Sequence, residues 1–289
     1  MWIIKDKTKI SFLSANWKGE GKMHITSKIT SKNNDMVKLY SALSASASKR
    51  RSLHLFVIEG RRLCHEAYLS GIKIEAMFYT PEFCSKYSSS AEEIAARAEN
   101  VYETTEDILK KIADTVTPQG IVCICRRPEH DIKSVKFGGF YIALENVSDP
   151  SNIGAIARSA AAFNYDGIML TRGSADIYSP KALRASMGAL LRLPVIEFIG
   201  IEKILETCRK SGITSYAGVV SRDAENIYDV DFSGGTLIMV GNEGHGLSTA
   251  AINGAEHKIF IPMSAKTESL NAAAAASIMM WESRKKSFI

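Results

Sequence analysis

Three short segments of this chain gather the residue types that chemistry needs. Asn146 to Gly154 holds Asn146, Ser148, Asp149, Ser151 and Asn152, and Arg158 follows shortly after. Gly241-Asn-Glu-Gly-His-Gly246 is a glycine-spaced loop with an acid at its centre. Ile259-Phe-Ile-Pro-Met263 runs on to Ser269-Leu-Asn271. An arginine can hold a phosphate through two hydrogen bonds, and a nearby helix N-terminus would add N–H groups that favour an anion. A surface ion pair is the plainer reading of Arg158. Glycines allow positive φ and close approach of backbone to a ligand, although a tight turn explains them equally well. Their G-x-x-G-x-G spacing is neither the dinucleotide fingerprint nor a P-loop, which needs Gly-Lys-Ser/Thr. Glu243 is hard to explain as turn filler. His245 is a candidate acid or base, or simply an exposed loop histidine. Ser269 is a candidate catalytic hydroxyl, or the N-cap of the alanine-rich helix after it.

Each segment must be held by the strand before it. From Phe137 onward, strands at 140–144, 167–170, 195–198, 215–220, 237–240 and 258–261 alternate with helices near 154–163, 179–188, 201–210, 248–253 and 269–285. This order predicts an α/β domain with a mostly parallel sheet covered on both faces. Ligands in such sheets bind beyond the carboxyl ends of the strands, where all three segments fall. Ahead of it, a helix at 35–48, a strand at 53–58, helices after Arg62 and Pro81, and strands at 74–79 and 120–125 predict a smaller α/β domain. The expected organisation is an extension at 1–28, a first domain at 29–126, a polar linker at 127–136 and a second domain at 137–289. Lys18-Gly-Glu-Gly-Lys22 directly precedes Met23. Its codons would read as a purine-rich ribosome-binding site, so Met23 is the expected start.

Composition narrows the class. The chain is 46% hydrophobic and 23% charged, as soluble globular proteins are, and no apolar run reaches the roughly 18 residues a membrane span needs. Its five cysteines form no CxxC pair and no Cys/His cluster, so neither a metal nor a disulfide framework is expected, and a reducing cytoplasm fits. Residues 1 to 62 hold 13 Lys or Arg against four Asp or Glu, a local balance of +9 in a chain of net +5. A basic segment before a near-neutral body suggests a polyanion partner, with a solvated basic tail as the alternative.

Taken in order, the three segments resemble the three motifs of the SpoU (TrmH) branch of the SPOUT RNA methyltransferases. Asn152, Gly154 and Arg158 are similar to the first, Gly241-Asn-Glu-Gly-His-Gly-Leu-Ser248 to the second, and Ile261-Pro-Met263 with Ser269-Leu-Asn271 to the third. Tyr178-Ser-Pro-Lys181 and Arg184-Ala-Ser-Met-Gly188 also look like the family, and Ala265 departs from its usual glycine. Residues 29 to 125 resemble the substrate-binding domain often fused ahead of it, which is similar to a small ribosomal-protein fold.

The resemblance implies methyl transfer from S-adenosyl-L-methionine to a ribose 2′-hydroxyl in structured RNA, rRNA rather than tRNA, by a cytoplasmic homodimer joined through its C-terminal domain. It implies a deep trefoil knot there, a feature too rare for composition or periodicity to suggest. It further implies a catalytic set of Arg158, Asn152, Glu243, Ser269 and Asn271, and cofactor contacts at Gly241, Ile261, Met263 and Leu270. Arginine has a pKa above about 12, so Arg158 is expected to position a phosphate rather than serve as the base. RNA would be gripped by Lys49, Arg50, Arg51, Arg61 and Arg62 on a basic face of the first domain. The rival functions are a non-catalytic RNA-binding or ribosome-assembly protein on the same fold, and a methyltransferase acting on a base. For the start site, N-terminal sequencing of protein made from its own gene is expected to begin at Met23 or the next residue; recovery of residue 1 or 2 would end that idea.

Overall fold

The computed structural model describes residues 23–221, 223–264 and 266–288. The segment before Met23 and the departure at Ala265 lie outside them. The chain divides into two compact units: one takes in the described residues up to Ala45 together with His54–Arg126, the other Ser46–Leu53 with Arg127 onward.

In the first unit, β1 (Ser27–Ile29) and α1 (Asp35–Ala45) lead, and after an excursion through α2 (Ala47–Leu53) come β2 (Leu55–Glu59), α3 (Arg61–Leu69) and β3 (Ile74–Tyr79). Then follow α4 (Pro81–Lys86), α5 (Ser88–Arg97), β4 (Ala98–Thr104), α6 (Glu106–Ile112) and β5 (Ile121–Arg126). The sheet order is β1-β4-β3-β5-β2, with β5 antiparallel to both of its neighbours. Cys123 and Cys125 alternate along β5 and are fully buried.

The helix expected over 35–48 is interrupted at Ser46, and the short α2 groups with the second unit. Its Arg50 is 4% exposed and ion-paired with Asp176 at 2.7 Å. This corrects the expectation for Arg50. A buried, paired guanidinium is not part of an RNA-facing surface, whereas Lys49, Arg51, Arg61 and Arg62 are exposed. It also moves Lys49 and Arg51 from the first unit to the second.

The second unit contains β6 (Phe140–Leu144), α7 (Pro150–Ala162), β7 (Gly167–Thr171), α8 (Pro180–Ala185), α9 (Ala189–Arg192), β8 (Val195–Phe198) and α10 (Ile201–Lys210). They are followed by β9 (Ile213–Gly218), β10 (Glu225–Asn226), β11 (Gly235–Val240), α11 (Thr249–Gly254), β12 (His257–Phe260) and α12 (Ala272–Arg284). The seven strands lie in the order β10-β12-β9-β11-β6-β7-β8, and every neighbouring pair is parallel. Three neighbouring strands carry the buried centre of the sheet: β6 after its first residue, and β7 and β11 end to end, as a sheet covered on both faces requires.

From β6 the chain builds outward through β7 and β8, then crosses to the other side. The reversal falls between β6 and β11, and an open α/β sheet has its ligand crevice at such a point. Close helix packing accompanies it. A Cβ on Gly154 of α7 would lie 2.5 Å from the Ala182 carbonyl oxygen and 2.6 Å from Ala185 Cβ of α8, so only glycine lets the two helices meet. Among the described residues no helix is long and apolar enough to cross a membrane.

Candidate active site

The switch point sets two loops side by side. β6 pairs with β11 up to Leu144 opposite Val240, and the Glu145 N–H donates to the Val240 carbonyl at 2.9 Å. The segment Glu145 to Asp149 and the loop from Gly241 to Gly246 therefore leave adjacent strands together.

The second loop is a tight hairpin. Asn242 and Gly246 exchange backbone hydrogen bonds of 3.0 and 2.9 Å, and Gly246 has φ 68°. A Cβ on Gly241 would lie 2.2 Å from the Gly246 carbonyl group, so that glycine is a steric requirement of the closed loop. Asn242 Oδ1 accepts from the N–H groups of Gly244 and His245, and its Nδ2 donates to the Asn146 carbonyl at 2.9 Å. His245 is exposed, and its Nδ1 lies 3.2 Å from Asn242 Oδ1. Below the hairpin, buried Glu145 receives the Ser248 N–H and hydroxyl at 2.8 and 2.7 Å.

Glu243 sits at the tip of this hairpin and reaches across to the first segment. Its carboxylate accepts from the Ser148 N–H (3.0 Å), the Ser148 hydroxyl (2.8 Å), the Asp149 N–H (3.1 Å) and Asn152 Nδ2 (2.8 Å). Burial pushes its pKa up, but the Asn152 amide and the backbone N–H groups outweigh burial and hold it down at about 2. A carboxylate with this many donors stays charged. The chain of contacts continues: Asn271 Nδ2 donates to Asn152 Oδ1 at 3.0 Å, and Asn271 Oδ1 accepts from the N–H groups of Ala273 and Ala274. Asn271 is thus the N-cap of α12. This corrects the expectation that Ser269 caps it, because the helix begins at Ala272, three residues later than periodicity suggests.

A cavity of about 840 Å³ opens beside this chain of contacts. It is lined by the carboxyl ends of β9, β11 and β12 and by the approach to α12, including Gly218, Gly241, Ile261, Met263 and Leu270. Glu243, Ser269 and Asn271 also line it, with Met279 of α12. The volume suits a cofactor-sized ligand, and apolar walls beside free backbone groups suit an adenine. Asn152 and Arg158 are outside the lining. Arg158 is exposed and lies in the third turn of α7, eight residues beyond Pro150, or about 12 Å along the axis. The expectation that it stands beside the helix N-terminus is therefore corrected. Asp149 is the N-cap, accepting from the Ser151 N–H, and Pro150 opens the helix four residues earlier than expected. The Lys181 ammonium, 2.8 Å away, and the Ser151 N–H hold the Asp149 pKa below the usual carboxylate value.

Sequence reasoning placed Ser148 and Asp149 in the first segment without a role, and missed Glu145 and, at the cavity, Gly218, Met279, Asp223 and Lys258. Asp149-Pro150 carried a readable signal, an N-cap residue before proline at the first helical position. The others meet their partners across long stretches of sequence and had none, as Glu145 does with Ser248. Among the described residues there is no cluster of His, Cys, Asp and Glu that could hold a metal, and all five cysteines are free.

The chain has recognisable relatives. The model of the SpoU rRNA Methylase family matches residues 139–281, and that of the MRM3-like substrate binding domain matches residues 34–123. An uncharacterized tRNA/rRNA methyltransferase of Synechocystis is 30% identical over 258 residues, 89% of this chain and 93% of that protein. A 23S rRNA guanosine 2′-O-methyltransferase of Bacillus subtilis is 27% identical over 257 residues, 89% of this chain and 99% of that protein. The structure of an AdoMet-bound rRNA methyltransferase from Sinorhizobium meliloti superposes with a TM-score of 0.82 at 28% identity, covering 90% of this chain and 97% of that one.

A carboxylate whose pKa is lower in the folded chain than its ordinary 4.5 adds stability above that value and loses it as pH falls through about 2. The stability difference between wild type and Glu243→Gln, read from denaturant midpoints, is expected to be level from neutral pH to about 5 and to shrink between 4.5 and about 2. A difference that stays level to pH 3 or below, or that grows, contradicts the assigned hydrogen bonding.

Proposed function

The chain belongs to the SpoU rRNA methylase family, and from that membership we propose that it methylates a ribose 2′-hydroxyl of rRNA with S-adenosyl-L-methionine. The observation that carries the reading is the convergence of Gly241, Ile261, Met263 and Leu270 on one cavity, from which Asn271, Asn152 and Glu243 lead hydrogen bond by hydrogen bond to the helix bearing Arg158. The 2′-O-methyltransferase of Bacillus subtilis and the AdoMet-bound methyltransferase of Sinorhizobium meliloti, similar along nearly their whole length, support rRNA as substrate.

When bound, the donor supplies a sulfonium methyl with a neutral thioether as its leaving group. What the chain must add is alignment and help for a weakly acidic hydroxyl. The hairpin of Gly241 to Gly246 and the approach to α12 supply backbone groups for the donor. Asn152 and Glu243 are positioning residues, since they fix the loop and the helix from which Arg158 projects. Arg158 is exposed and has no ion-pair partner among the described residues, so its guanidinium is available to grip the phosphate beside the target ribose. The hydroxyl proton leaves through that phosphate or to solvent.

The trefoil knot and the homodimer belong to the same reading. For the dimer, Ala274, Ile278 and Trp281 form an exposed helical stripe on α12, next to α7, to which Ser277 bonds through Ser159 at 2.7 Å. Sedimentation as a monomer at working concentration would remove that part. A cytoplasmic location goes with an rRNA substrate.

Methyl transfer from labelled donor is to be measured into rRNA and tRNA that lack the modification, followed by alkaline hydrolysis. Label is expected in rRNA, in a dinucleotide resistant to alkali, because a 2′-O-methyl group blocks cleavage of the adjacent phosphodiester. Label in a fully cleaved nucleotide means base methylation, and no transfer with intact RNA binding means a non-catalytic protein. Arg158→Ala is expected to lower the rate at least 100-fold, or about 2.7 kcal/mol, with donor affinity unchanged. An equal loss of donor affinity contradicts its assignment to the RNA side.

A further inference from the structure

We propose that the cleft between α2 and the loop after β7 is a subsite for a phosphodiester of the substrate RNA, with Arg51 and Arg172 as its cationic arms. The proposal rests on the RNA-methyltransferase reading above. The cleft has a volume of about 210 Å³ and is lined by Arg51, Leu170, Thr171, Arg172, Ser174 and neighbouring residues up to Ile177, with Glu197. That is room for a phosphate and part of its sugar, not for a stack of bases.

Charge pairing leaves the cleft positive. Its two acids are already engaged: Asp176 by Arg50 at 2.7 Å and Glu197 by Arg127 at 2.8 Å. Arg51 and Arg172 are both exposed, and neither has an ion-pair partner among the described residues. Two uncompensated guanidinium groups at one small cleft repel each other, an arrangement that folding stability does not favour and that an anion relieves. A guanidinium fork matches phosphate oxygens in a bidentate way. The position of Arg51 is also set by structure. Successive helical residues are turned by about 100°, so drawing Arg50 inward onto buried Asp176 directs Arg51 to the rim.

The cleft wall is bonded to the reaction loop. Thr171 Oγ1 accepts from the Asn146 N–H at 3.0 Å, the Ala175 N–H donates to the Val147 carbonyl at 2.9 Å, and Ser174 Oγ donates to the Leu144 carbonyl at 3.2 Å. The next residue, Ser148, is held by Glu243. Both lie at the carboxyl ends of adjacent strands β6 and β7. A strand presenting its target ribose where Ser148 and Asp149 lead into α7 therefore brings a neighbouring phosphate over the cleft. The short α2, which leaves the first unit to join the second, carries one arm of the subsite.

The test is the salt dependence of affinity for a labelled mixed-sequence RNA oligonucleotide, read by fluorescence anisotropy without methyl transfer. In the Arg51→Gln/Arg172→Gln double variant, the log–log salt slope is expected to become shallower by about 0.7 per lost phosphate contact, about 1.4 in all. Donor affinity should not change, and the melting temperature should hold or rise as the repulsion between the two arms is removed. Arg172→Lys should retain part of the slope, being a charge without the fork, and Lys203→Gln on α10 should leave it as in wild type. A double variant with wild-type slope and affinity overturns the proposal. So does one that loses binding of inorganic phosphate while its RNA slope stays, since the cleft is then a free-anion site. If instead the wild-type chain fails to bind RNA at all, the functional reading itself falls. Alkali-labile product with the predicted slope change leaves the subsite standing and removes only the ribose assignment.

Discussion

Four donors converge on one carboxylate, and the geometry of the site depends on that interaction. Glu243 draws the Ser148 N–H and hydroxyl, the Asp149 N–H and the Asn152 amide to a single point. It thereby ties the hairpin after β11 to the start of α7. Without it, the hairpin and the first segment are joined only nearer their roots, through Asn242 to the Asn146 carbonyl and Glu145 to Ser248. Asn152 extends the same tie to the cap of α12 through Asn271. The three motifs are thus one hydrogen-bonded unit rather than three neighbouring loops. An asparagine suits the middle position because its amide donates to an anion on one side and accepts on the other.

The parallel sheet makes this convergence possible. A reversal of build direction between β6 and β11 sets two loops next to each other at the carboxyl edge, and close glycine contacts let the covering elements approach. Gly154 brings α8 onto α7, and Gly241 lets its loop close on itself. The division of labour follows from position. The β9, β11 and β12 ends form the cavity wall, and the β6 and β7 ends carry the polar and cationic surface on the other side of the switch point.

Much of this was legible in the sequence because it depends on local pattern. Apolar strands emptying into polar loops marked the second unit, and the order of Asn152–Arg158, Gly241–Ser248 and Ser269–Asn271 marked the site. What was not legible depends on long-range pairing. Nothing local to Arg50 distinguishes it from Lys49 or Arg51; its ion pair with Asp176 lies 126 positions away. Ser269 looked like the cap of α12 because serine is a good cap, but Asn271 takes that role, its side-chain Oδ1 accepting from the Ala273 and Ala274 N–H groups while its Nδ2 donates to Asn152. The start of α7 was readable from Asp149-Pro150, and reading it would have moved Arg158 away from the helix end.

The most direct test of the central tie is a double-mutant cycle on Glu243→Gln and Asn152→Ala, read as single-turnover methyl transfer with saturating donor. If the carboxylate and the amide act as one unit, the two substitutions are expected to be non-additive, with a coupling of about 1 kcal/mol or more. Effects that simply add would mean that Glu243 and Asn152 serve the reaction independently, and would contradict the account of the site as a single hydrogen-bonded assembly.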